Sequence, residues 1–278
     1  MGADNSNYLI SNIPLTEKEF TQFQKMIYEW AGIHMSESKK ALISGRLLKR
    51  LRFYQFHSYQ EYIDFILDPK NTEEKQIMVN LLTTNETYFF RESQHLDYLR
   101  DKILPQHKGN ETFRIWSAAS SSGQEAYSIG MILQDSDLNG NWEIIGTDIN
   151  ETVLEKAVIG IYPLEASEKI PENFLKKYCL RGVRSQYGTF TVVDEIKSRI
   201  HFIKMNLNEP FKNIGLFNLV FLRNVMIYFD QETKIALVDR IYNVIKPSGY
   251  LILGHSENLN NISKKFKTLA PTIYQKIE

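Results

Sequence analysis

The sequence predicts an α/β protein: a doubly wound parallel sheet domain with a small inserted antiparallel β-lobe, preceded by an all-α N-terminal domain. Three observations predict it. From Thr16 to Thr84 apolar residues recur at helical spacing. Beyond residue 110, short apolar runs ending in small or polar residues alternate with helical segments, the pattern of strands joined by crossover helices. Residues 183 to 204 break that rhythm with two β-rich stretches in hairpin-like succession.

In the first region Thr16-Glu17-Lys18-Glu19 is a capping box that opens a helix through Phe20, Phe23, Ile27 and Trp30. A second helix spans about Ser38 to Phe53 with Leu42, Leu47 and Leu51 on its apolar side. Ser58-Tyr59-Gln60-Glu61 starts a third through Tyr62, Phe65 and Ile66, which Asp68-Pro69 ends. Thr72 is read as the cap of a fourth, containing Ile77, Met78, Leu81 and Leu82.

In the second region the strands are read at Phe113–Trp116, Glu143–Gly146, Phe217–Leu222 and Tyr250–Leu253. Helices lie near Ser122–Gln134, Asn150–Val158 and Gln231–Ile245, and Lys246-Pro247-Ser248-Gly249 is read as a turn ending the last of them. Gly188–Val193 and Ile200–Ile203 are the two stretches assigned to the lobe, and Phe266–Leu269 with Thr272–Ile277 to a closing hairpin. The expected organisation is a flexible N-terminus over 1–13, helices over 14–84, a linker helix region over 85–110 that contributes to a cofactor cleft, and the sheet domain over 111–278 with its lobe at 183–204.

Composition sets limits. Of 278 residues, 43% are apolar and 24% charged, ordinary values for a globular chain. Thirty-three basic side chains balance 33 acidic ones, so no global field draws the chain to nucleic acid or to an anionic membrane. A single cysteine, Cys179, excludes an intrachain disulfide and a cysteine-based zinc site. No apolar run reaches eighteen residues, so a cytoplasmic protein without membrane insertion is expected.

The residues with chemistry cluster at strand ends. After the first strand, Ser117-Ala118-Ala119-Ser120-Ser121-Ser122-Gly123 lets backbone approach a ligand closely before a helix N-terminus at Gln124-Glu125. Such a turn also serves as a plain connector. The second strand ends at Asp148, placed either to accept both hydroxyls of a ribose or to cap the helix at Asn150. Together these favour an adenosine-type ligand. Gly123 stands without the other glycines of a pyrophosphate-binding turn, and no phosphate-loop motif occurs. S-adenosylmethionine, an adenosine compound without phosphate, fits, and no metal is expected. Arg223-Asn224 leaves the fourth strand at the crevice edge, with Tyr228 beyond it; a surface ion pair and a half-buried aromatic are the plainer alternatives. Arg91, in Asn85-Glu86-Thr87-Tyr88-Phe89-Phe90-Arg91-Glu92, is suited to a ligand carboxylate. Lys39, Lys40, Arg46, Lys49, Arg50 and Arg52 occur with no acid between Ser38 and Gln60, either as a solvated face or as a surface that steers an acidic partner.

These stretches resemble the bacterial chemoreceptor methyltransferases, the CheR family. Asn85–Glu92, Arg114–Ala119, Gly146–Ile149, Arg223–Asp230 and Gly254-His255-Ser256-Glu257 look like that family's signature segments, in its order, over about residues 14 to 276. The chain departs from the family pattern at Gln124 and Ala126, where Glu and Pro are usual. The resemblance implies a Rossmann-like S-adenosylmethionine-dependent methyltransferase domain behind the helical one, S-adenosylmethionine as cofactor, S-adenosylhomocysteine as product, and γ-methyl esters on glutamates of methyl-accepting chemotaxis receptors as the outcome. It implies cofactor contacts at Asn85, Thr87, Arg91, Glu125, Asp148, Asn206, Leu207, Arg223 and Asn224, with Tyr228 beside the transferring methyl group. The basic helix would meet the cytoplasmic helical region of the receptor, and the lobe is read either as a mere support or as a seat for a receptor C-terminal peptide. The rivals are a methyltransferase with another acceptor and a non-catalytic cofactor sensor.

Overall fold

The computed structural model describes residues 13–107, 111–136, 138 and 141–277, so most of the expected flexible N-terminus lies outside the described residues. The chain divides into two compact units, residues 1–84 with Tyr228–Asp230, and Asn85–Ile227 with residues 231–278. Apart from Tyr228–Asp230, residues from Asn85 onward thus cluster with the sheet.

In the first unit, α1 (Glu17–Ala31) starts on the capping box read from the sequence: Thr16 Oγ1 accepts from Glu19 N at 3.3 Å, and Glu19 Oε2 accepts from Thr16 N at 2.8 Å. The other oxygen of Glu19 accepts from Gln60 N at 2.9 Å, so one buried carboxylate holds the starts of two helices. Gly32, at φ 71°, ends α1 in the left-handed conformation. α2 (Lys40–Tyr54), α3 (Tyr59–Leu67) and α4 (Thr72–Leu82) complete the unit. Phe23, Ile27, Ile43, Leu47, Leu51, Tyr59, Tyr62, Ile63, Met78 and Leu82 form its buried interior. The expected Thr72 cap is corrected: Thr72 is the first helical residue and Asn71 occupies the cap position, its side-chain amide spent on Phe65 O at 2.9 Å.

The second unit opens with α5 (Ser93–Tyr98), which runs on through a π-turn (Leu99–Ile103). Its sheet contains β1 (Phe113–Ala118), β2 (Trp142–Asp148), β6 (Ile200–Lys204), β7 (Phe217–Leu222), β8 (Ile245–Leu253), β9 (Phe266–Ala270) and β10 (Ile273–Lys276), in the order β6-β2-β1-β7-β8-β10-β9. The first five in that order run parallel, whereas β10 pairs antiparallel with β8 and β9. Ile115, paired in register with Ile144 on one side and Leu219 on the other, is fully buried with them at the centre. Because β1 lies between β2 and β7, the connections diverge at its carboxyl end, where open α/β sheets bind ligands.

Helices α6 (Gln124–Gln134), α7 (Glu151–Ile159) and α10 (Gln231–Val244) occupy the crossovers expected for them. The lobe is a three-stranded antiparallel sheet of β3 (Ile161–Pro163), β5 (Thr189–Val192) and β4 (Cys179–Arg181), with α8 (Glu172–Tyr178) leading into β4. Its extent therefore differs from 183–204. Ile200–Lys204, expected in the lobe, is the outer parallel strand of the main sheet, joined to β5 through the single turn α9 (Asp194–Lys197). The pairing decides this: five residues of β6 run in register with Ile144–Asp148, while β5 pairs with β3 and β4. Lys246–Gly249 is likewise not a turn before a strand. β8 runs through it, its register against β7 jumping from Phe217–Ile245 to Leu219–Tyr250, so the turn-forming residues bulge out of a continuous strand.

Candidate active site

The loop after β1 is wound tightly. Ala119, Ser121 and Gly123 all have positive φ, at 65°, 51° and 92°. For the two residues with side chains this conformation costs on the order of 1 kcal/mol each, so other contacts must hold it. Ser120 N donates to Thr147 O at 2.7 Å, Ser121 N to Asp148 Oδ2 at 2.9 Å, and Ser121 Oγ to Asn85 O at 3.2 Å. Gly123 is required on two counts, its φ and the space around it: a Cβ there would lie 3.0 Å from Ala157 Cβ and 3.1 Å from the Tyr162 hydroxyl.

Asp148 is buried at the end of β2 and ties the two βα loops together. Its Oδ1 accepts from Asn150 N at 3.0 Å while Oδ2 holds Ser121. The helix cap itself is Asn150, whose side chain accepts from Val153 N at 3.3 Å, which answers the capping alternative for Asp148. Burial pushes the Asp148 carboxyl above its ordinary range, against the amides of Asn150, Ser121 and Ile149. A carboxylate has about four acceptor sites, so capacity remains for hydroxyl donors.

Arg223, at the carboxyl end of β7, is 6% exposed and lies between two carboxylates. Nη1 donates to Glu125 Oε2 at 2.8 Å; Nε and Nη2 donate to Glu92 Oε2 at 3.3 and 3.1 Å; Nη2 also reaches Arg91 O at 2.5 Å. Glu125 is oriented from its other oxygen by Ser117 Oγ at 2.7 Å. Asn224, in the left-handed region at φ 56°, donates from Nδ2 to Glu92 Oε1 at 3.2 Å. Burial alone would raise the Glu92 carboxyl, but the charge of Arg223 and the Asn224 hydrogen bond hold it below its usual range.

The remaining expected residues are placed less directly. Asn85 offers its carbonyl to Ser121, Thr87 is half-buried, and Arg91 folds its guanidinium back to Glu86 O at 2.7 Å. Asn206 uses its side chain locally, donating to Glu209 Oε1 at 3.0 Å and accepting from Asn208 N at 3.0 Å, while Leu207 O accepts from Arg240 at 2.7 Å. This loop is tied to the site through Met205 N, which donates to Asp148 O at 2.9 Å.

Tyr228, in a single 3-10 turn (Met226–Tyr228), packs with the helical unit, where its carbonyl accepts from His34 N at 2.8 Å. Of the six basic residues on and before α2, three are held within that unit. Lys40 pairs with Glu17, Arg46 donates to the carbonyls of Leu81 and Thr83 at 2.9 and 2.7 Å, and Arg50 forms a two-pronged bridge to the buried Glu74. Lys39, Lys49 and Arg52 are exposed.

Sequence reasoning passed over Glu92 and Glu257 as individual residues, though both end quoted segments. Glu92, His95 and His255 also bring potential ligand atoms within 4.8 Å of one another. They do not read as a cation site, because Glu92 Oε2 already accepts from Arg223 and, at 3.3 Å, from His255 N.

Residues 85–275 match the family described as "CheR methyltransferase, SAM binding domain", and residues 18–83 the "CheR methyltransferase, all-alpha domain". The chain belongs to the CheR methyltransferase family. Among its relatives, a chemotaxis protein methyltransferase of Borreliella burgdorferi is 37% identical over 98% of this chain and 99% of its own length. That of Salmonella typhimurium is 35% identical over 96% and 92%, and chemotaxis protein methyltransferase 2 of Pseudomonas aeruginosa 37% over 93% of each. As a CheR protein the chain is an S-adenosylmethionine-dependent methyltransferase. The site fits that cofactor in the sign of its charge: the carboxylates of Glu92, Glu125 and Asp148 outnumber the one buried guanidinium, Arg223, and a ligand with a sulfonium, an ammonium and one carboxylate is net positive. The tight loop at Ala119–Gly123, without a pyrophosphate cradle, fits an adenosine that carries no phosphate.

Proposed function

We propose that this enzyme works in the cytoplasm and methylates glutamate side chains in the helical region of methyl-accepting chemotaxis receptors, giving γ-methyl esters for sensory adaptation. The near full-length similarity to chemotaxis protein methyltransferases carries the reading. The chemistry agrees with it. A glutamate acceptor, with an ordinary pKa of about 4.3, is already ionised at neutral pH and needs no general base. When bound, S-adenosylmethionine supplies an electrophilic methyl group. Asp148 would accept the ribose hydroxyls, and Arg223, Asn224, Glu125, Asn85, Thr87, Arg91, Asn206 and Leu207 would make the other contacts that hold the cofactor. Tyr228 orients the acceptor carboxylate and helps strip its water, so that alignment and partial desolvation do most of the work.

The test of the acceptor is incubation of the enzyme with labelled methyl donor and receptor-containing membranes, followed by mild base. Release of the label as volatile methanol is expected of a carboxyl ester; base-stable label would point to a different acceptor, and no transfer to a cofactor sensor. Tyr228→Phe is expected to lower turnover by about tenfold to a hundredfold with cofactor affinity little changed. An unaltered turnover number would remove Tyr228 from the reaction. Lys39, Lys49 and Arg52 form the surface we assign to the acidic receptor helix. The edge strands β3 and β4 are suited to taking a receptor C-terminal peptide as an added strand.

A further inference from the structure

The loop that follows β7 is held by an anion of the protein's own. Glu257 is 5% exposed, and its carboxylate faces a run of backbone amides: Oε2 accepts from Asn224 N at 2.8 Å and Gly254 N at 2.8 Å, and Oε1 accepts from Val225 N at 3.0 Å. The amides of Met226 and Ile227 also act on it. Successive N–H groups converging on one point form an anion-binding concavity, the arrangement that binds phosphate in other α/β sheets. Here Glu257 fills it. Burial pushes its carboxyl upward, and the amides of Gly254 and Asn224 work against that shift.

We propose that Glu257 is a positioning residue for cofactor binding, acting through Asn224. Asn224 sits at φ 56°, a conformation unfavourable for a residue with a side chain, and the bond from its amide to Glu257 fixes it there. That backbone conformation sends the Asn224 side chain toward Glu92 Oε1, beside the cluster that contains Arg223. Asn224 is thus gripped by two carboxylates, Glu257 on its backbone and Glu92 on its side chain. Gly254 belongs to the same device. A Cβ at that position would lie 2.6 Å from Asn224 Nδ2 and 2.8 Å from Glu257 Oε2. A charged acceptor is needed because each oxygen must receive N–H donors; a glutamine would turn an NH2 group onto one of those amides.

The inference rests on Asn224 contacting the cofactor, so the experiment carries its own control. Direct titration of S-adenosylmethionine onto Glu257→Gln, Gly254→Ala, Asn224→Ala and the Glu257→Gln/Asn224→Ala double variant is compared with the unaltered enzyme, each normalised to folded protein. Loss of one partner from such a buried network corresponds to about a 10-fold to 100-fold weaker cofactor affinity. That loss is expected for Glu257→Gln, for Gly254→Ala and for Asn224→Ala. In the Asn224→Ala background the Glu257 change is expected to add less than about threefold, because both act through one side chain. KM for the acceptor is expected to stay within about twofold. A purely structural role would lower the melting temperature while leaving the affinity of the folded fraction untouched. Unchanged affinity in Glu257→Gln with weakened affinity in Asn224→Ala would overturn the role of Glu257 alone. Unchanged affinity in Asn224→Ala would overturn the assignment of Asn224 itself. Should Glu257→Gln not fold, Glu257→Asp decides the matter, since it keeps the charge and only shortens the reach to the amides of Asn224 and Val225.

Discussion

Arg223→Met is expected to weaken S-adenosylmethionine binding by more than about a hundredfold and to lower the melting temperature by roughly 10 °C. The guanidinium stands between Glu92 and Glu125, both largely shielded from water, and its loss leaves two carboxylates facing each other. Breaking a buried ion pair on one side costs about 3–5 kcal/mol, because the remaining charge is stranded. Arg223→Lys keeps the charge but not the fork, so it falls between. The pH dependence should change sense as well. In the unaltered protein the Glu92 carboxyl lies below its ordinary value, so its contribution to stability is present above the unfolded pKa and is lost as acid is added through the folded one. Without Arg223, the largest remaining influence is burial, which raises the carboxyl; the variant then gains stability on acidification from pH 7 toward 5. Calorimetry at several pH values, with cofactor titration at pH 7, measures both effects. A variant that binds cofactor normally, or whose stability deficit is constant with pH, would remove Arg223 from the centre of the site.

The sequence made the framework of this site legible and hid its electrostatics, for identifiable reasons. Short apolar strands ending in Ala118, Asp148 and Leu222 are visible because period and end chemistry are local properties. The left-handed conformations of Ala119, Ser121 and Asn224 were not, since none is glycine and each is imposed by distant partners. β6 was misplaced because its apolar alternation is the same whether it pairs with β5 or β2; only the tertiary register settles that. The bulge in β8 has true turn chemistry, and the sequence does not tell that the strand resumes its partner's edge on both sides. Glu92 and Glu257 were overlooked because a carboxylate's partners, 131 and 33 residues away in sequence, determine whether it is a solvated charge or a keystone.

The basic segment shows the same principle at its strongest, and it separates two variants that look alike in sequence. Arg50→Ala is expected to destabilise the helical unit by about 3 kcal/mol, whereas Lys49→Glu with Arg52→Glu, at exposed positions, is expected to cost it far less. Glu74 is 3% exposed and accepts from Arg50 Nε and Nη2 at 2.7 and 2.5 Å, from Tyr54 at 2.9 Å and from Tyr62 at 2.8 Å. Removing the guanidinium leaves a buried anion with only hydroxyl donors, and α2 loses its main polar tie to α4. Lys49 and Arg52, one helical turn apart on α2, are exposed. If they steer an acidic receptor helix, reversing both charges raises KM for the receptor by about tenfold at low salt. It also flattens the dependence of KM on ionic strength, because exposed charges act over about 10 Å at 0.1 M salt. Cofactor affinity should be indifferent to both variants once folded protein is measured. Receptor kinetics unmoved by the double reversal would leave the basic segment as scaffold alone, built on Lys40 with Glu17, Arg50 with Glu74 and Arg46 with the carbonyls of Leu81 and Thr83.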